Sequence, residues 1–171
     1  MTRTSTLLRI PKERVGVLIG PEGKTKKKVE EKLSVELQID SESGNVTLML
    51  SEKTEDPSSL FKAKDVVTAI GRGFSPEHAF RLIRDEEAIL DVIDLRLIFG
   101  RSESDIKRIK GRIIGMNGKT RRIIEELTDT NLCVYGHTVG IIGNIEQAQA
   151  AREAIQMLIN GSLHRSVYRF L

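Results

Sequence analysis

Residues 111–126 read GRIIGMNGKTRRIIEE, and residues 16–31 read GVLIGPEGKTKKKVEE. At an offset of 95 these stretches share eight of sixteen positions: Gly16/Gly111, Ile19/Ile114, Gly20/Gly115, Gly23/Gly118, Lys24/Lys119, Thr25/Thr120, Glu30/Glu125 and Glu31/Glu126. Basic residues match at Lys26/Arg121 and Lys27/Arg122. The register then continues without a gap, placing Leu37 on Leu132, Ile39 on Val134 and Val46 on Ile141. Such in-register identity marks a duplicated unit. Two copies are too few to stack into a solenoid, so the chain reads as two related domains in tandem.

Working outward, each copy shows the same order of elements. In the first, Thr6–Ile10 is an apolar run that predicts a strand, and Pro11 suits a first helical position because its missing N–H would have no partner there. A short helix ends in Val17-Leu18-Ile19, the turn Gly20–Gly23 follows, and a longer helix runs through Leu33. Val35, Leu37 and Ile39 alternate as a strand does, and Ser43-Gly44-Asn45 signals a turn before a second strand, Val46–Leu50. Asp56-Pro57 opens a helix to Ile70, stopped by Gly71-Arg72-Gly73. The second copy reads as a strand over Ala88–Ile98, an N-cap at Ser104, a helix over Asp105–Ile114, the turn Gly115–Gly118 and a helix to Leu127. Strands Asn131–Tyr135 and Thr138–Ile142 flank a tight turn, and Asn144 caps a last helix with an apolar stripe of Ile145, Ala148, Ala151, Ile155, Leu158 and Ile159. The expected order is therefore β-α-α-β-β-α twice, an α+β architecture. The first domain covers 1–74, and a connecting helix from Pro76 to Ile83 with the acidic Asp85-Glu86-Glu87 forms a linker over 75–87. The second domain with its tail covers 88–171.

Composition bounds the function. The chain has 171 residues with a net charge of +3, 39% hydrophobic and 30% charged residues, which is too apolar for a disordered protein. Its single cysteine, Cys133, excludes a disulfide framework and a cysteine-based zinc site, and in a predicted strand it reads as a small core residue rather than a nucleophile. The start Met-Thr-Arg-Thr-Ser-Thr carries no apolar signal-peptide core, and no apolar run approaches the ~20 residues that span a bilayer. A cytoplasmic protein without membrane contact is expected.

The glycine turns carry the chemistry. Glycines at both ends of a four-residue turn permit backbone angles closed to other residues and let a ligand approach the main chain. The following helix then offers unpaired N–H groups and a partial positive charge, which suits a phosphate. From Lys107 to Arg122 there are seven basic residues and no acidic one. Against an overall excess of +3, this concentration is the footprint of a polyanion site.

These features resemble the KH RNA-binding domain. Ile-Ile-Gly-x-x-Gly between two helices, followed by two strands and a helix, is similar to the type I KH module, and the resemblance covers nearly the whole chain as two modules. The second copy, with GRIIGMNGKTRRIIEELTDTNLCVYG, GIIGNIEQAQAAREAI and the tail Ser166-Val167-Tyr168-Arg169, resembles the partner-of-Nob family of small-subunit ribosome assembly factors in an archaeal-like short form. The resemblance implies two three-stranded antiparallel sheets, each packed by helices on one face. It also implies binding without catalysis, with about four nucleotides of single strand clamped at the GxxG loop.

The resemblance makes Gly115, Met116, Asn117 and Gly118 the phosphate loop, with Arg112, Lys119, Arg121 and Arg122 adding charge, and Ile114 and Val134 lining the base groove or the core beneath it. In the first module Pro21 lacks a donor and Glu22 would set a carboxylate beside a phosphate. Its Gly20, Pro21, Glu22, Gly23, Lys24, Lys26 and Lys27 are therefore assigned a secondary contact with RNA or a contact with protein. Such modules usually carry an apolar residue three positions after the second glycine, where this chain has Lys26 and Arg121. The helices must then pack through Val29 and Leu33, or through Ile123, Ile124 and Leu127. The implied partners are the 3′ region of small-subunit ribosomal RNA and a Nob-type endonuclease or another ribosome or translation factor.

Other readings are weaker. Gly118-Lys119-Thr120 suggests a nucleotide-binding P-loop, but that motif needs a glycine five positions before Gly118 or Gly23, where Ile113 and Leu18 stand. His78, His137 and His164 lack metal-ligand spacing, and consecutive Asp85-Glu86-Glu87 do not converge on a point, so neither a metal nor a cofactor is expected. The basic run Lys24–Lys28 also fits a solvated helix face. A general KH single-strand binder acting on messenger RNA, and an RNA-acting nuclease or NTPase, are the alternatives.

Overall fold

The structure, a computed structural model, describes residues 3–54 and 56–171, so the first two residues of the expected first domain lie outside the described ones. The chain divides into two compact units that meet between Glu86 and Glu87. In the first, β1 (Ser5–Arg9), α1 (Lys12–Ile19), α2 (Lys24–Leu33), β2 (Val35–Ile39), β3 (Asn45–Leu50) and α3 (Ser58–Gly71) are followed by two four-residue helices, α4 (Pro76–Ala79) and α5 (Arg81–Arg84). In the second, β4 (Ile89–Asp94), α6 (Leu95–Phe99), α7 (Glu103–Ile114), α8 (Lys119–Thr128), β5 (Asn131–Tyr135), β6 (Thr138–Gly143) and α9 (Ile145–Ile159) precede a C-terminal helix, α10 (His164–Phe170). Among the described residues, no helix is long and apolar enough to cross a membrane.

Each unit has one three-stranded antiparallel sheet with the last strand in the centre, in the orders β1-β3-β2 and β4-β6-β5. The registers correspond: Leu37 pairs with Leu48 in the first sheet, and Leu132 with Ile141 in the second. Period-two alternation sends Val46, Leu48 and Leu50 of β3 inward, into the core in which Val15 and Leu18 of α1 and Val29 of α2 are also buried. The second core uses Ile93, Ile109, Ile113, Ile124, Leu132, Val139, Ile141 and Ile155. The two units thus build the expected α+β architecture with two three-stranded antiparallel sheets.

Several boundaries differ from expectation for local reasons. Pro11 is not the first helical residue but the N-cap, with ψ of 140°. The strand over Ala88–Ile98 stops at Asp94, whose carboxylate accepts the N–H of Arg96, while the N–H of Leu95 bonds to the carbonyl of His137, so the chain turns into α6. The N-cap of α7 is Ser102 rather than Ser104. Asn144 does cap α9, in a capping box with Gln147, yet Ile145 is 65% exposed and the buried stripe starts at Ala148. The connector over 75–87 is not a separate linker helix. Ser75 caps α4, Phe80 breaks the helix, and buried Ala79, Phe80 and Leu82 tie the segment into the first unit. Arg14 fastens the same unit by donating to the carbonyls of Ile70 and Phe74 at 2.8 Å each.

Candidate nucleic-acid interface

The second glycine turn connects α7 to α8 through one 3₁₀ turn, Met116–Gly118. Gly115 has φ 73° and ψ 176°, a region that only glycine enters without strain. A Cβ there would lie 2.2 Å from the hydroxyl of Thr120 and 2.8 Å from its backbone nitrogen. Asn117 (φ 55°) and Gly118 (φ 77°) are left-handed, a conformation asparagine tolerates well. Two reversals in three residues expose Met116 to 84% and turn Asn117 outward. Among the described residues no side chain caps α8, whose start lies beside the exposed loop; the N–H groups of Gly118 and Lys119 turn back to the carbonyls of Gly115 and Met116.

Buried Thr120 braces this turn. Its hydroxyl, which fills the space a Gly115 side chain would need, accepts a hydrogen bond from the Tyr168 hydroxyl of α10 at 3.2 Å. His164 reaches the Arg112 carbonyl at 3.0 Å, and the Arg112 guanidinium donates to the carbonyl of Ser162. The C-terminal helix thus props the turn from behind. Neither α10 nor the matched Thr25/Thr120 pair carried this role in the sequence. The identity of the threonines at offset 95 was the available signal.

The cations expected at the turn divide into two groups. Arg112 is committed to Ser162, and Arg121 to Glu125 at 2.6 Å. The second oxygen of Glu125 accepts the N–H of Leu132 at 2.9 Å, so Arg121 and Glu125 pin α8 to edge strand β5. This is why a basic residue is tolerated where an apolar one was expected. Ile124 packs inward as anticipated, whereas Leu127 is 53% exposed and Thr128 takes the inner position. Lys119 and Arg122 stay exposed, and among the described residues neither makes an ion pair. Ile114 is half-buried at the end of α7, and Val134 packs on the core while keeping partial exposure. Cys133 is half-buried, not a core residue.

The Glu125 bridge has its copy in the first unit, where Glu30 accepts the N–H of Leu37 at 2.9 Å and lies 4.0 Å from Lys26. Glu125→Ala is expected to cost about 1–2 kcal/mol in urea unfolding, because a strand N–H and a guanidinium lose their acceptor, while Glu125→Gln retains part of that stability.

The first turn has nearly the same backbone: Gly20 at φ 76°, Glu22 at φ 55° and Gly23 at φ 74°. Its chemistry differs. Pro21 offers no N–H, and exposed Glu22 lies 4.0 Å from Lys24, offsetting the charge that a phosphate would meet. Lys27 stands on the same helix, exposed.

Gly111 sits one turn before the loop, exposed, and beyond its chain neighbours and the nearby backbone of its own helix no atom of the described residues lies within 4 Å of where its side chain would be. It lines a concavity of about 510 Å³ with Gly115, Met116, Lys119 and Tyr168. At the other end of α7, Arg96, Arg101, Lys107 and Lys110 line a cavity of about 590 Å³ with Gly136 and His137. His137 Nδ1 lies 2.8 Å from Asp94. Burial pushes the Asp94 carboxyl up, but hydrogen bonds from His137 and the Arg96 N–H outweigh it and hold the group below the usual carboxylate range. Among the described residues no cluster of histidine, cysteine and carboxylate groups could hold a metal ion.

Comparison with known proteins agrees with this division. Residues 89–171 match the family described as the eukaryotic type KH-domain (KH-domain type I), and residues 10–85 match the Krr1 KH1 domain. A KH domain-containing protein of Methanocaldococcus jannaschii is 50% identical over 165 residues, which are 96% of this chain and 71% of that protein. The RNA-binding protein pno1 of Ixodes scapularis is 31% identical over 140 residues, and the match spans 82% of this chain but only 60% of that protein. The crystal structure of an a/eIF2alpha–aDim2p–rRNA complex from Pyrococcus horikoshii contains a chain of 47% identity. That chain superposes with a TM-score of 0.92, the match covering 98% of this chain and 92% of that one.

Proposed function

Because the chain belongs to the PNO1/Dim2 family of proteins with two KH domains, we propose that it binds single-stranded RNA near the 3′ end of small-subunit ribosomal RNA, in the cytoplasm, and assists processing of that RNA. The clamp is the turn Gly115–Gly118 of the second unit. The uncapped start of α8 at an exposed loop, flanked by unpaired Lys119 and Arg122, carries the reading. Phosphates meet the N–H groups and the positive end of the helix, while bases lie along Gly111, Ile114 and Val134. Arg112 and Arg121 hold the clamp's shape rather than the strand. The first unit, with Glu22 in its turn, takes a supporting contact with RNA or contacts protein, and a Nob-type endonuclease is the partner we assign to it.

The protein acts by holding RNA, not by cutting it. Incubated with labelled RNA and magnesium or manganese, it is expected to release neither fragments nor phosphate; cleavage by pure protein would overturn this. Lys119→Gln or Arg122→Gln is expected to weaken binding to every RNA sequence alike and lower the salt slope by about 0.7 each, as loss of one phosphate contact on a single strand does. A changed base preference would instead make that residue a reader of bases.

A further inference from the structure

The segment that walls the cavity at the far end of α7 has no counterpart among the described residues of the first unit. There β1 passes to α1 through Ile10 and Pro11 alone, whereas between Asp94 and Glu103 the second unit inserts α6 and the link Gly100-Arg101-Ser102. Helix α7 is also longer, with 12 residues against 8 in α1. The added segment supplies Arg96 and Arg101, and the helix supplies Lys107 and Lys110. At the position of Lys110 the first unit has buried Val15, so a core position has been given up to a cation. Glu103 is the one acidic residue of this lining, and among the described residues no acidic group comes within ion-pair distance of Arg101, Lys107 or Lys110.

Glu103 in the lining and Asp94 beside Arg96 offset only part of this charge, and a concave cationic surface concentrates anions. The kind of anion follows from the helix. Lys107, Lys110, Gly111 and Ile114 stand at i, i+3, i+4 and i+7, so they form one stripe along α7. The stripe runs from the cavity to Gly115, eight residues or about 12 Å of helix. A nucleic-acid backbone held at the turn has its next phosphates within reach of that charge.

We propose that this cavity is a second phosphate subsite for the same RNA strand, lengthening the footprint of the second KH domain beyond the four nucleotides of its turn. The proposal rests on the RNA-binding reading above. The test compares Arg96→Gln/Arg101→Gln, which removes two exposed cations contributed by the insert, with the intact protein. The probes are four- and eight-nucleotide fragments from the 3′ end of small-subunit ribosomal RNA, titrated at several salt concentrations, with folding checked by amide spectra. The variant is expected to bind the octamer on the order of tenfold more weakly at 0.1 M salt, with a slope lower by about 1.4, and the tetramer within twofold of the intact protein. An unchanged octamer affinity, or an equal loss on both lengths, overturns the proposal. A Met116→Asp/Asn117→Asp protein serves as the reference. If it loses both RNAs while the insert variant loses neither, the cavity proposal alone fails. If it keeps both, the turn is not the clamp, and the subsite argued from it fails as well.

Discussion

Met116→Asp with Asn117→Asp is expected to weaken RNA binding at least 30-fold, about 2 kcal/mol, without unfolding the protein. The two effects separate because the same charge acts oppositely on folding and on binding. Carboxylates beside the start of α8 interact favourably with the helix dipole, so the fold gains or stays level. Aspartate, like asparagine, tolerates the left-handed backbone of position 117 (φ 55°), and Met116 at 84% exposure contributes little packing. A phosphate approaching that helix start meets two negative charges and a site that the carboxylates already fill. Thermal unfolding and RNA titration of one preparation check both halves. Retained affinity would show that the turn is not the clamp.

Gly115→Ala is expected to do the reverse, destabilising the second unit by about 2–5 kcal/mol. Its φ of 73° and ψ of 176° cost an alanine about 1–3 kcal/mol. The new methyl would also lie 2.2 Å from the Thr120 hydroxyl, so Thr120 must shift and its bond to Tyr168 must break. Gly118→Asn is the contrasting change. At φ 77° the position is left-handed, and the nearest atom to a side chain is Arg121 Nη2 at 3.6 Å, so a loss within about 1 kcal/mol is expected. Denaturant unfolding of the two variants distinguishes a turn that needs both glycines for folding from one whose second glycine serves ligand approach.

The contrast indicates what the repeated motif encodes. Gly20 and Gly115 are required by packing, since each lies against a threonine hydroxyl, whereas a side chain at Gly23 would meet open space and one at Gly118 only an ordinary contact with Arg121. The identities Thr25/Thr120 and Glu30/Glu125 are structural in the same sense: one threonine braces the turn and one glutamate pins the helix to the edge strand. Spacing alone reveals that these residues recur but not whether they face a ligand or a neighbouring element.

The elements of both domains were legible because the duplicated register tested each assignment against its copy. Misreadings fell where the copies diverge. Leu95–Phe99 continues an apolar run, and only the Asp94 cap and the Leu95 bond to His137 turn it into a helix. Helix α10 buries Val167 alone among its seven residues, too little periodicity to mark it in the sequence. Of the cations around the turn, charge counting placed all seven between Lys107 and Arg122 on one footing. Tertiary contacts then commit Arg112 and Arg121 to the domain itself and leave Lys119 and Arg122 exposed.

Amide chemical shifts of the intact chain, followed during titration with an eight-nucleotide RNA from the 3′ end of small-subunit ribosomal RNA, test the clamp most directly. The largest changes are expected at Asn117–Arg122, the turn and helix start that would face the phosphate, with much smaller ones at Glu22–Lys26. Unmoved signals at 117–122, with the main changes in the first unit's turn or away from both turns, would contradict the account.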